Sequence, residues 1–183
     1  MKSWLPTFFV LVTAYLAVFW EAAFTPLRHL LGAQIDLLPP LIVYAALCTD
    51  VRTTCLLACL GGLWFDSLSQ NPLGVTMLPL ALVGLTLYSQ RELILRDQTF
   101  AQFTLGLAAS GAAPLLTLGL LLTTGHTPLL GWGTLWQLLV MTVGGALATP
   151  VFFVGFEWLH RSLAHERIAE TSFRPDREIR RGR

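Results

Sequence analysis

Residues 4–19 read WLPTFFVLVTAYLAVF, and the fold class follows from this run and the others like it. Lys2 ahead of it imitates a secretory signal, but the run outlasts the 7–15 residues of a signal core, and Glu21 stands where small residues precede a cleavage site. A retained first helix is therefore expected. Inside hydrocarbon each backbone amide needs a partner within the protein, which leaves helices or a closed barrel. The apolar runs here are continuous and do not alternate, so they read as helices.

Working outward, the punctuation of the chain predicts six helices over 4–24, 37–49, 53–68, 75–89, 100–124 and 132–160. Thr25-Pro26 closes the first, Ser69–Gly74 separates the third from the fourth, Gln90–Gln98 precedes the fifth, and Gly125–Gly131 precedes the sixth. Several of the middle segments fall short of the ~20 residues of a perpendicular crossing. A five-helix arrangement that fuses two of them is the alternative. Small residues four apart (Ala108/Ala112, Ala109/Ala113, Gly144/Ala148) suit close helix approach, either within the chain or against a second copy. The expected architecture is an all-α integral membrane domain over 1–160, followed by a basic tail over 161–183.

Composition agrees. The 183 residues are 54% hydrophobic and 13% charged, with a mean hydropathy of +0.63, against about 25% charged for soluble domains. Seven of the twelve bases are arginines at or beyond position 161, so the net charge of +1 conceals an apolar body and a basic tail. No folded soluble domain and no nucleic-acid partner is expected. Cys48, Cys55 and Cys59 lie in apolar runs, where free cysteine acts as a small hydrophobe.

Orientation comes from the bases. With the N-terminus in the cytoplasm, Lys2, Arg52, Arg91, Arg96 and the seven tail arginines lie inside and only Arg28 outside, eleven against one. Both termini are expected in the cytoplasm.

Acids at membrane depth are costly. Glu21, Asp36 and Asp66 all fall near the outer ends of predicted helices, with Arg28 in the loop between the first two. One reading is an outer-face acidic cluster that receives a partner; the other is contact with interfacial water or with Arg28. Asp66 follows Gly61-Gly62 and precedes Pro72-Leu73-Gly74. Gly62 permits close helix approach, and Pro72 and Gly74 suit a turn into a helix. A carboxylate there is placed to accept from amides freed at the start of the fourth helix, locking it to the third. The alternative is direct contact of Asp66 with a partner.

The run Gly62-Leu63, Asp66, Leu68-Ser69, Pro72-Leu73-Gly74 resembles the MreD family, the small multi-pass subunit of the bacterial rod-shape machinery. Asp36-Leu37-Leu38-Pro39 and Ala148-Thr149-Pro150 support the likeness, which covers roughly residues 4–165. The tail is longer than the family pattern, and nothing is carried over to it. The resemblance implies a non-enzymatic scaffold in the bacterial inner membrane, with no cofactor. It implies association with MreC, a single-span protein with a periplasmic domain, and through it with MreB and with RodA and its transpeptidase. It also implies the helix arrangement of the substrate-binding subunits of energy-coupling-factor transporters, which is an analogy of fold.

Two rival functions fit the residues less well. A vitamin-binding subunit needs polar or aromatic ligands among the last three helices, which carry chiefly hydroxyls and Gln137 and lack a buried charge until Glu157. An intramembrane protease would use Ser110 before Gly111, but no histidine lies within a helix to act as base. Cys55 and Cys59 share a helix face yet lack neighbouring ligands for a metal. Arg174, Arg177, Arg180, Arg181 and Arg183 are expected to touch anionic lipid, with contact to a cytoplasmic filament as the alternative.

Overall fold

The computed structural model describes residues 4–23, 32–69, 72–94, 98–123 and 131–168. Among them are six helices: α1 (Trp4–Ala23), α2 (Leu38–Cys48), α3 (Val51–Leu68), α4 (Met77–Gln90), α5 (Thr99–Thr123) and α6 (Trp132–Ile168). The chain is an all-α membrane protein, as expected. Among the described residues three helical stretches are long and apolar enough to cross a bilayer: α1, α5 and the Trp132–Ser162 part of α6. The fourth helix starts two residues later than predicted, and α6 continues to Ile168 instead of stopping at 160.

At 1.5 Å per residue the 11 residues of α2 span only about 16 Å, too little for a ~30 Å hydrocarbon layer. The structure explains why this is tolerated. Every residue from Leu38 to Leu47 is buried, as in a helix apolar on all sides. It packs against α1, α3, α4 and α5, so its sides meet protein instead of lipid.

Successive helices run up and down. One end of the bundle gathers the end of α1, the start of α2, the α3–α4 turn and the α5 and α6 ends around Gln137. At the opposite end Thr7 of α1 shares a 2.7 Å hydrogen bond with Thr53 of α3. There Arg91 sits over the Tyr88 ring, 4.2 Å from its centroid, and donates to the Thr49 carbonyl at 3.4 Å.

Glycines set the closest approaches. A Cβ on Gly84 of α4 would lie 2.8 Å from Thr54 Cγ2 of α3 and 3.1 Å from Ile42 Cγ2 of α2. Between α5 and α6 the tight contact uses residues that the small-residue pattern did not single out. A Cβ on Gly106 would meet Thr149 Cβ at 2.7 Å, and one on Gly145 would meet Ser110 Cβ at 2.5 Å. Of the expected pairs, Ala109 and Ala113 are buried, Ala108 is exposed, and Gly144 abuts Ile35 ahead of α2.

The chain divides into two units, Met1–Phe152 and Phe153–Arg183. In the second, Glu157 and Arg161 form an exposed ion pair one helical turn apart, and Ser162 Oγ donates to the Trp158 carbonyl at 3.0 Å. The tail arginines Arg174, Arg177, Arg180, Arg181 and Arg183 lie outside the described residues.

Candidate functional site

The polar groups buried at the common end of α1–α4 satisfy helix starts. The first amides of a helix have no partner in their own helix. In α2, Pro39 and Pro40 have no amide to satisfy, and the Leu41 amide reaches the Leu37 carbonyl at 3.3 Å. That leaves the amides of Leu37 and Leu38. Leu37 donates to Glu21 Oε1 at 2.5 Å, and Leu38 donates to Asp36 Oδ1 at 2.9 Å. Two successive amides thus hold two carboxyl groups at the positive end of the α2 dipole. Glu21 Oε2 is buried with no hydrogen-bond partner among the described residues. Arg28 lies outside the described residues.

The same arrangement recurs at α4. Asp66, in the last turn of α3 and 2% exposed, spans the turn with both oxygens. Its Oδ2 accepts from the Gly74 amide at 2.8 Å and the Thr76 amide at 3.1 Å. Its Oδ1 accepts from the Thr76 hydroxyl. Gly74 has φ +89°, a left-handed conformation that strains any residue with a side chain. Pro72 is exposed in the turn ahead of the helix, and its carbonyl accepts from the Val75 amide at 3.3 Å. One turn before Asp66, Gly62 faces Met77 so closely that a Cβ there would lie 2.8 Å from Met77 Cα. Gly62, Asp66, Gly74 and Thr76 therefore form one joint between α3 and α4. Sequence reasoning missed Thr76, whose lone hydroxyl has no distinguishing spacing.

A second polar joint ties the segment before α2 to α6. The Gln34 amide donates to Gln137 Oε1 at 3.1 Å, and Gln137 Nε2 donates back to the Gln34 carbonyl at 3.0 Å. Beside it is a cavity of about 490 Å³ between the C-terminal half of α5 and the N-terminal half of α6. Asp36, Thr76, Thr117, Thr134 and Gln137 are its polar lining; leucines, Pro114 and Met141 supply most of the rest. Ser110 lies outside this lining, 1% exposed beneath Gly145, and its hydroxyl has no hydrogen-bond partner among the described residues.

Searches of curated proteins and of solved structures find no match. The family model described as rod shape-determining protein MreD matches residues 1–129. This segment takes in α1–α5 and the whole Gly62–Thr76 joint, and ends before α6 and Ala148-Thr149-Pro150. With well over half of its length matched, the chain belongs to the MreD family of rod shape-determining proteins.

Proposed function

We propose that the chain serves rod shape determination as a non-enzymatic scaffold of the bacterial inner membrane, holding an MreC-like single-span protein. Through that partner it connects to MreB and to RodA with its transpeptidase, and so to peptidoglycan synthesis. One observation carries the reading: Glu21, Asp36 and Asp66 each accept backbone amides at helix starts. These buried polar groups tie helix starts to neighbouring helices, a rigidity that a scaffold requires, and both oxygens of Asp66 are engaged in this way. The eleven-to-one distribution of bases supports termini in the cytoplasm.

The test is co-purification. Solubilised protein should retain an MreC-like single-span protein through size-exclusion chromatography, and the complex should be lost when the partner's membrane span is replaced. Failure to associate under conditions where the chain stays folded would defeat the scaffold reading. The cavity between α5 and α6 is what favours the second reading, a vitamin-binding transporter subunit. Saturable binding of a water-soluble vitamin would establish that reading instead.

A further inference from the structure

We propose that the cavity between α5 and α6 binds an amine-headed membrane lipid, with its acyl chain between the helices and its ammonium at Asp36. The inference does not rest on the scaffold reading.

The cavity arises from how the two helices cross. At Gly106/Thr149 and Ser110/Gly145 they touch with no room for another methyl group. By Gly111 the contact has relaxed, since a Cβ there would sit at an ordinary 3.5 Å from Thr142. Beyond that point the helices separate, and about 490 Å³ between them is left unfilled. Leu115 and Leu135 line this space yet are 53% and 60% exposed, so it opens sideways onto the outer surface of α5 and α6. In a membrane protein that surface faces acyl chains. A large apolar space open to hydrocarbon takes up hydrocarbon, because water would find too few polar partners along its walls.

The polar wall selects the head group. The Gln137 amide is consumed by Gln34, and the Thr76 hydroxyl is given to Asp66. Asp36 differs. It is 6% exposed, lines the cavity, and only its Oδ1 accepts a hydrogen bond among the described residues. Its Oδ2 meets no donor among the described residues. Glu21 is held by the adjacent Leu37 amide in the same corner. The buried Asp36 carboxylate repels a head group of net negative charge and favours one that brings an ammonium. Phosphatidylethanolamine has that group, whereas phosphatidylglycerol with identical chains lacks it.

Delipidated full-length protein in detergent, titrated with dioleoyl phosphatidylethanolamine or dioleoyl phosphatidylglycerol and read by native mass spectrometry, tests this. Wild type should retain one phosphatidylethanolamine, with about tenfold preference over phosphatidylglycerol, the order expected of one charged hydrogen bond. Asp36→Asn keeps an acceptor for the Leu38 amide but removes the charge, and should erase the preference. Leu118→Trp fills the cavity and should abolish retention of both lipids; Thr117→Leu, a smaller change, should weaken it if the tryptophan variant fails to fold. Equal retention of the two lipids by wild type, or an unchanged preference in Asp36→Asn, would overturn the proposal. So would a wild type that retains no lipid while Leu118→Trp loses an MreC-like partner, because the cavity would then hold a protein helix.

Discussion

Gly62 of α3 and Met77 of α4 lie in backbone contact: a Cβ at position 62 would fall 2.8 Å from Met77 Cα and 2.9 Å from its nitrogen. Backbone cannot give way as a flexible side chain can. The absent side chain at 62 is what brings the start of α4 within reach of Asp66, one turn along α3.

Gly62→Ala should therefore destabilise the protein by about 1–3 kcal/mol, the usual cost of overpacking, despite alanine's better helix propensity. Gly119→Ala is the control, because nothing lies within 4 Å of the added methyl. It should be neutral or slightly stabilising. Thermal melting of both variants in detergent checks the pair, and a Gly62→Ala protein as stable as wild type would refute the backbone contact.

Asp66 accepts from two amides and one hydroxyl. Asp66→Asn retains an acceptor oxygen and should be mild. Asp66→Leu strands those donors at about 1–3 kcal/mol each and should lower the yield of folded protein. Thr76→Val removes the hydroxyl alone and should cost about 1 kcal/mol, with no further loss when added to Asp66→Leu. If Asp66 instead meets the partner directly, Asp66→Leu will leave abundance intact and abolish co-purification.

The α5–α6 crossing offers a reciprocal test. Gly145→Ala should be strongly destabilising, since its methyl would lie 2.5 Å from Ser110 Cβ. Ser110→Gly should partly rescue it, giving a positive coupling in a double-mutant cycle. Ser110→Ala should be neutral or stabilising, because it deletes a buried hydroxyl with no hydrogen-bond partner among the described residues. Loss of function with full stability in Ser110→Ala would revive the enzymatic reading.

For orientation, a reporter active only in the cytoplasm should work when fused after Arg183 and be silent when placed at Gly125. Activity at both sites, or at Gly125 alone, would contradict an even number of crossings with both termini inside.

The helical class, the positions of six helices to within a few residues except at the end of α6, and the family were readable from the chain alone. The reason is local: hydrocarbon leaves a backbone no partner but its own helix, so continuous apolar runs with Gly and Pro between them have one solution. The amide donors to Asp66 were also within reach of sequence reasoning, because Gly74 and Thr76 follow it by only 8 and 10 residues, whereas the Thr76 hydroxyl was not. The tertiary structure alone decided the rest. Small residues four apart occur in several registers on α5 and α6, and all of them permit close approach. Which register is used depends on the rotation of each helix about its axis, a property of the whole packing. Gly106, Ser110, Gly145 and Thr149 were selected in that way, and so was the pairing of Gln34 with Gln137 across 103 residues. The cavity beside that pairing is the space left when two helices meet tightly at one level and part at the next, a consequence of crossing angle that no run of residues spells out.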